Sequence, residues 1–182
     1  VIAHHLLIVT REWESQSAPL TPADFEALAQ VIGAHGGLGF YNGGSEAGAS
    51  QPHKHLQWVP HVRDDDNAPD LDSPGSLAAG LPRAPLGTAI TNPALPWRHA
   101  FVHLDTTNWP SAEQTAAMLR DAFATAWQAL ALPARIDPMP PYNLLVTQGW
   151  LLLVPRRSSS SSMCASRPST TCVRWSSRST SA

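Results

Sequence analysis

Short apolar runs predict the strands of this chain. Residues His5 to Thr10 form the first run, which is rich in β-branched and aliphatic side chains and is typical of a buried strand. Further runs of this kind predict strands over 38–41, 51–59, 99–104, 142–147 and 150–154. Only Gln148 and Gly149 separate the last pair in sequence, and a two-residue turn of this type between apolar runs predicts a β-hairpin.

Two segments carry apolar residues at helical spacing. The first begins where Thr21 can cap the backbone and Asp24 suits the positive end of the helix dipole, and we expect Gly33 to end it. The second begins at Ser111, which can form a capping box, and ends before Pro133. The apolar faces consist of Phe25, Leu28 and Ile32 in the first helix and Leu119, Phe123, Trp127 and Leu130 in the second.

Strands and helices follow each other along the chain without regular strand–helix–strand units. This order predicts an α+β fold built on an antiparallel sheet. Residues 60–96 interrupt the pattern, because they are rich in Pro, Asp, Gly and Ala and show no sustained period. We therefore expect one domain over residues 1–157, with an irregular segment at 60–96 that is either a functional flap or mobile.

Charge is distributed unevenly along the chain. The formal net charge is −2 over 182 residues, yet all 14 acidic residues lie at or before Asp137. Eleven of the last 25 residues are serine, and both cysteines, Cys164 and Cys172, lie in the same stretch. This composition predicts that residues 158–182 form a disordered tail, and it does not indicate a disulfide framework.

The overall composition argues against several classes of protein. Charged residues make up 14% of the chain, and with a small net charge this does not favour a nucleic-acid or membrane-surface partner. No run approaches the ~20 apolar residues of a membrane span. We expect a cytoplasmic protein that has neither nucleic acid nor membrane among its partners.

The chemically informative stretch runs from Asn42 to Gln57. If its last part is a strand, His53, His55 and Gln57 share one face, because side chains alternate along a strand. Lys54 then lies on the other face, where its stem packs over the sheet. Two imidazoles and an amide that point to one place are candidate catalytic groups.

The loop that precedes these residues, Gly48-Ala49-Ser50-Gln51, suits an anion. It offers backbone N–H groups and a hydroxyl with little side-chain bulk, and neutral imidazole is a competent nucleophile near pH 7. The combination predicts phosphate chemistry. One alternative is that the two histidines only form hydrogen bonds. A second alternative is that they bind zinc, which needs a third ligand. Candidates for that ligand are His5, His35, His61, His99 and His103, none of which is fixed by spacing.

Two runs resemble the ATP adenylyltransferase family, the diadenosine tetraphosphate phosphorylases of the histidine triad (HIT-like) superfamily. They are Phe40-Tyr41-Asn42-Gly43-Gly44 and Gly48-Ala49-Ser50-Gln51-Pro52-His53-Lys54-His55-Leu56-Gln57. Segments 5–10, 97–101, 142–147 and 150–156 are similar in the same order, so the resemblance covers about residues 1–157. Hydrolases of the superfamily usually carry a third histidine where this chain has Gln57. The resemblance implies a HIT-like antiparallel sheet with flanking helices, incomplete at both ends.

The resemblance also implies a reaction. Phosphate would cleave diadenosine tetraphosphate to ADP and ATP through a covalent adenylyl group on His55, in a double displacement. His53 would orient His55 and fix its tautomer, and Gln57 would hydrogen-bond the α-phosphate. The implied partners are a nucleotide substrate and inorganic phosphate. No protein-held cofactor or metal is implied, although a divalent cation such as Mg²⁺ can accompany the nucleotide.

Further residues in the matching segments are implied substrate contacts. They are Asn42, Gly48, Ala49, Ser50, Gln51, Asn143, Thr147 and Arg156. An ordinary strand residue or a solvated arginine also fits the last three positions. His5 matches a position that supports the active-site histidines.

The chain departs from the family at both ends. A lysine-containing segment that precedes the first strand in the family is absent, and serine-rich sequence follows Arg157. We hypothesise a reading-frame shift near Arg157, which translation in the other two forward frames tests, and we expect weak or no activity from this polypeptide. The alternatives are a hydrolase or uridylyltransferase of the same superfamily, a zinc-binding non-catalytic domain, and a fragment without a ligand.

Overall fold

The computed structural model describes residues 5–60, 77–78, 80–105, 109, 111–133 and 136–156. These residues contain an antiparallel sheet with the strand order β1-β3-β2-β6-β7-β5-β4. The strands are β1 (Leu6–Val9), β2 (Leu38–Gly43), β3 (His55–Val59), β4 (Ala89–Ile90), β5 (Ala100–His103), β6 (Tyr142–Val146) and β7 (Trp150–Pro155). The helices are α1 (Pro22–His35) and α2 (Ala112–Ala129), and a 3₁₀ turn, Ser45–Ala47, follows β2. The predicted α+β fold with an antiparallel sheet is confirmed.

Strand β3 is shorter than the predicted run over 51–59. It begins at His55, because the residues before it pair with the segment that follows β1 instead of with β2. The Gln16 N–H donates to the Pro52 carbonyl over 2.8 Å, and the Lys54 N–H donates to the Glu14 carbonyl over 2.8 Å. Only the part from His55 onwards therefore has regular strand alternation.

Helix α1 begins as predicted and ends later. Thr21 and Asp24 form a reciprocal capping box, in which the Thr21 N–H donates to the Asp24 carboxylate over 2.7 Å. The predicted end at Gly33 was wrong, because a glycine inside a helix costs only about 1 kcal/mol and does not stop it. The helix ends at Gly36, whose φ of 63° is readily adopted by glycine.

Both helices pack on one face of the sheet and leave the other face to the site. Every second strand residue is buried against them, including Tyr41, Leu56, Trp58, Tyr142, Leu144, Val146, Leu151 and Leu153. On the opposite face, a smaller apolar cluster around Phe101, Trp150 and Leu152 covers the β5–β7 half. The β3–β2–β6 half of that face carries the polar side chains of the candidate residues, Asn42, His55, Gln57 and Asn143, beside Phe40 and Leu145.

The segment predicted to be irregular, 60–96, contains some ordered structure. Strand β4 lies in it, and Leu77, Ala78, Leu81 and Leu95 pack on the smaller apolar cluster. Residues 61–76 and 79 of the segment, and the tail 158–182, lie outside the described residues. No helix in the described part of the chain is long and apolar enough to cross a membrane.

Candidate active site

His55 and Gln57 lie together on the sheet face opposite the helices. They are alternate residues of β3, and Leu56 between them is buried in the helix-side core. Gln57 pairs with Phe40 of β2, which lies on the same face. His55 is 8% exposed and begins the strand. The structure thus brings these two residues to one face, as predicted.

The His55 ring has one nitrogen committed to the protein. Its Nδ1 lies 2.8 Å from the His53 carbonyl oxygen, and because a carbonyl only accepts, Nδ1 must carry the proton. In the neutral ring this leaves Nε2 with its lone pair. No described residue forms a hydrogen bond with Nε2.

His53 supports His55 through its backbone rather than through its ring. Its Nε2 lies 3.0 Å from Thr10 Oγ1 and 3.2 Å from the Glu12 carbonyl. The Thr10 hydroxyl itself donates to the Glu12 carbonyl, so both groups accept from a proton on His53 Nε2. We expected His53 to fix the tautomer of His55, and the structure shows which of its groups is in position to do so. That group is the His53 carbonyl and not its ring, because the chain before His55 pairs with the segment after β1.

Lys54 points to the helix side, as predicted, but it is not a stem packed over the sheet. Its side chain is fully buried, and Nζ donates to Glu14 Oε2 over 2.5 Å, to the Pro19 carbonyl over 3.0 Å and to Asp24 Oδ2 over 3.3 Å. A buried ammonium needs such partners, because desolvation of an unpaired charge is costly. Burial, with the nearby charges of Asp24 and Glu14, raises the pKa of Tyr41 well above its usual range.

The loop after β2 uses two of the backbone donors that the sequence assigned to phosphate. The Gly48 N–H donates to the Ser45 carbonyl over 2.9 Å, and the Ala49 N–H donates to the Gly44 carbonyl over 3.2 Å. Gly48 has φ 96°, which closes the 3₁₀ turn. The anion donors left in this loop are therefore Ser50 and Gln51, whose N–H groups have no hydrogen-bond partner among the described residues.

Asn42 and Asn143 face each other across β2 and β6. Asn143 Nδ2 donates to Asn42 Oδ1 and to the Ala47 carbonyl, each over 2.7 Å. Both hydrogens of the Asn143 amide are thereby used, and the 3₁₀ turn is tied to the sheet. The Asn42 amide group remains as a donor toward a ligand.

A cavity of about 400 Å³ lies beside this loop. Its lining includes Ser50 and Gln51 from the predicted set, together with Ser15, Gln16 and Ser17 from the segment after β1. His55 and Gln57 do not line it, but Gln16 does so while hydrogen-bonding the His55 backbone. Sequence reasoning missed the three residues of the 15–17 segment, since nothing in their local pattern shows that they cross the start of β3.

Thr147, Arg156 and His5 are also absent from the lining of this cavity and have other surroundings. Thr147 is buried at the far end of β6, where its Oγ1 accepts from the Gly149 and Trp150 N–H groups and shapes the hairpin turn. Arg156 is exposed just after β7. The ring of His5 stacks on Phe40 at 6.0 Å between ring centroids.

The described residues do not supply a third ligand to complete a zinc site. No group of three or more His, Cys, Asp or Glu side chains in the described part is arranged to hold a metal ion. The His53 ring donates to Thr10 and Glu12, so it is not aimed at the same point as His55 Nε2.

Two family models match the chain, one after the other. The Ap4A phosphorylase N-terminal domain matches residues 1–71, and the ATP adenylyltransferase C-terminal domain matches residues 93–175. The second match extends past Arg157, where we expected the resemblance to end. Among curated proteins of Saccharomyces cerevisiae, the chain is 38% identical over 68 residues to diadenosine 5',5'''-P1,P4-tetraphosphate phosphorylase 2, which covers 31% of this chain and 21% of that protein. It is 27% identical over 173 residues to protein APA1, and this match covers 86% of this chain and 51% of APA1.

Solved structures agree with these matches. Yeast Ap4A phosphorylase Apa2 superimposes with a TM-score of 0.61 at 25% identity, covering 86% of this chain and 53% of Apa2. Apa2 in complex with Ap4A gives a TM-score of 0.61 at 26% identity, covering 84% and 53%. The chain thus spans about half the length of protein APA1 and of Apa2.

The fold and the histidine at the start of β3 define a HIT-like α+β domain. Within that class, the chain belongs to the ATP adenylyltransferase family, the Ap4A phosphorylases.

Proposed function

We propose that this chain carries the adenylyl-transfer site of an Ap4A phosphorylase. The observation that carries the proposal is the hydrogen bond from His55 Nδ1 to the His53 carbonyl, which leaves the Nε2 lone pair for a phosphorus atom. The yeast relative whose structure matches was solved in complex with Ap4A, which supports a dinucleoside tetraphosphate as the substrate.

The reaction proceeds in two displacements. The His55 Nε2 lone pair attacks the α-phosphorus of diadenosine tetraphosphate, a N–P bond forms, and the bond to the bridging oxygen breaks so that ATP leaves. A phosphate oxygen then attacks the same phosphorus, the N–P bond breaks, and ADP leaves with the neutral imidazole restored. His55 needs no separate base in the first step, because its tautomer is already set.

The surrounding groups position the phosphates. Gln57 lies two residues along the same strand face, so its amide is placed to donate to an α-phosphate oxygen without offering a titratable proton. Ser50 and Gln51 offer a hydroxyl and backbone N–H groups from the cavity wall. The Asn42 amide offers a further donor. The partners are accordingly a nucleotide and inorganic phosphate.

Trapping the intermediate tests the proposal. The protein is incubated with Ap4A labelled in an α-phosphate, without inorganic phosphate, and we expect label bound through an acid-labile, alkali-stable bond. His55→Ala is expected to abolish the label. His103→Ala is the matched control, since His103 lies on β5, which three other strands separate from β3 in the sheet.

The outcomes separate the competing functions. If inorganic phosphate releases the label as ADP, the result supports a phosphorylase. If AMP is released continuously by water, the result supports a hydrolase. Stoichiometric zinc without label supports a metal-binding domain. Since the chain spans about half of its full-length matches, we expect trapping in a single turnover and weak or no steady-state turnover.

A further inference from the structure

The amide of Gln16 is inserted between β2 and β3 at the nucleophile. The two strands pair from Leu38 with Val59 to Phe40 with Gln57, and two residues further along this register Asn42 lies opposite His55. There, Gln16 Nε2 donates to the Asn42 carbonyl over 2.9 Å and to the His55 carbonyl over 3.1 Å. Gln16 Oε1 accepts from the His55 N–H over 2.8 Å. The side chain thus provides hydrogen bonds that a strand pair would otherwise exchange.

Gln16 is itself held in place from both sides. It is 3% exposed, its N–H donates to the Pro52 carbonyl over 2.8 Å, and its carbonyl accepts from the Tyr41 hydroxyl. Only an amide suits this position, because the site needs two donor hydrogens and one acceptor in one plane. A carboxylate would lack the donors, and an apolar side chain would leave three backbone groups without partners.

These contacts bracket the hydrogen bond that sets the tautomer of His55. That bond joins the His53 carbonyl to the His55 ring, and Gln16 holds the chain on either side, at Pro52 and at His55. A substitution of the side chain keeps the backbone bond to Pro52 and removes the hold at His55, so His55 can move relative to residues 52 and 53. The distance from Nδ1 to the carbonyl then ceases to be fixed.

We propose that Gln16 is a positioning residue for His55, which it orients by holding the backbone on both sides of the tautomer-setting hydrogen bond. This inference rests on the proposed function, because it assigns Gln16 to the attack by His55. Displacement of a reacting group by about 1 Å costs on the order of 10²-fold in rate. Substitution is therefore expected to slow adenylyl transfer to His55 by that order, with little effect on the substrate concentration that half-saturates it.

The test compares Gln16→Met with Gln148→Met. Methionine keeps the length of glutamine without its hydrogen bonds, and Gln148 is a half-buried glutamine that donates to a single carbonyl, that of Ile32, away from the site. Single-turnover labelling of His55 is measured against Ap4A concentration. The tautomer of His55 is read by ¹⁵N NMR of the free protein, which does not depend on catalysis.

We expect Gln16→Met to lower the maximal labelling rate and to add the Nε2–H tautomer of His55, while Gln148→Met changes neither. If Gln16→Met does not fold by circular dichroism, Gln16→Glu replaces it, since it keeps the acceptor for the His55 N–H and loses both donors. A folded variant with the normal labelling rate and the normal His55 tautomer overturns the inference. A variant that changes only the Ap4A concentration at half-saturation also overturns it. If the unsubstituted protein is never labelled, the proposed function fails and the tautomer alone decides the role of Gln16.

Discussion

Two histidines occupy equivalent places in this sheet, and only one of them is available for chemistry. His55 begins β3 and His99 directly precedes β5, and each of these strands lies second from an edge. Each ring donates from Nδ1 to the carbonyl two residues earlier, over 2.8 Å to His53 and 2.6 Å to Trp97. Both rings are buried, at 8% and 3% exposed.

The difference lies in the second ring nitrogen. His99 Nε2 accepts from the Asn92 N–H over 2.9 Å, and its ring packs between Trp97 and Phe101. No described residue provides such a donor to His55 Nε2, which lies on the polar half of the same face. The local motif of a buried histidine bonded to a backbone carbonyl therefore does not define a nucleophile. The second ring nitrogen, which no described residue uses in His55, is what distinguishes the nucleophile that we propose.

The largest expected effect comes from comparing the loss of the adenylyl label in His55→Ala with that in His99→Ala. His55→Ala is expected to reduce the acid-labile adenylyl label to background, because no other described imidazole offers a free, tautomer-fixed nitrogen at this site. His99→Ala is expected to keep the label while lowering the free energy of unfolding by about 3 kcal/mol, since it leaves a cavity and removes the hydrogen bond from the Asn92 N–H to the ring. Labelling and urea unfolding are measured on both variants. Loss of the label in a folded His99→Ala protein would break the comparison.

The comparison extends to the cation that precedes each histidine. Lys54 and Arg98 both point to the helix side of the sheet, Lys54 toward Asp24 of α1 and Arg98 toward the end of α2. Lys54 is fully buried with carboxylates from Glu14 and Asp24. Arg98 is exposed, and its guanidinium donates to the Leu130 carbonyl at the end of α2. The two cations thus attach the histidine segments to different helices, in different dielectric surroundings.

Lys54→Met is expected to have the next largest effect, a loss of about 3 kcal/mol in the free energy of unfolding. Removal of one partner leaves Asp24 buried and uncompensated, although its bonds with Thr21 keep the loss near the lower end of the range for buried pairs. Urea denaturation measures the change. The double variant Lys54→Met/Asp24→Asn is the control, and it should recover part of the loss. An unchanged midpoint for Lys54→Met would show that the buried pair does not stabilise the fold.

Much of the fold follows from local signals in the sequence. The β6–β7 hairpin was predicted from Gln148 and Gly149, and the start of α1 from Thr21 and Asp24. These features depend on residues within a few positions of each other. Gly33 misled the prediction because the end of the helix is decided by Gly36, three residues on, where the backbone turns to positive φ.

The site could be predicted only in part, because its supports come from distant segments. His55 and Gln57 were found from strand alternation. Gln16 was not, since it lies 39 residues before His55 and acts only because the segment after β1 crosses the start of β3. Thr147 is a contrasting case, because it directly follows β6, the strand that contains Asn143, yet its hydroxyl accepts hydrogen bonds from the hairpin turn.

Arg98→Met gives the smallest expected effect and sharpens the comparison of the two cations. A cation at the C-terminal end of a helix contributes about 0.3–1 kcal/mol through the helix dipole, and salt screens the contribution at an exposed site. We therefore expect a loss of this size in urea unfolding at low salt and a smaller loss in 1 M salt. Arg83→Met, at an exposed arginine, is the control and should change little. A loss as large as that of Lys54→Met would mean that attachment of the segment to its helix, rather than burial of the charge, determines the stability at both histidines.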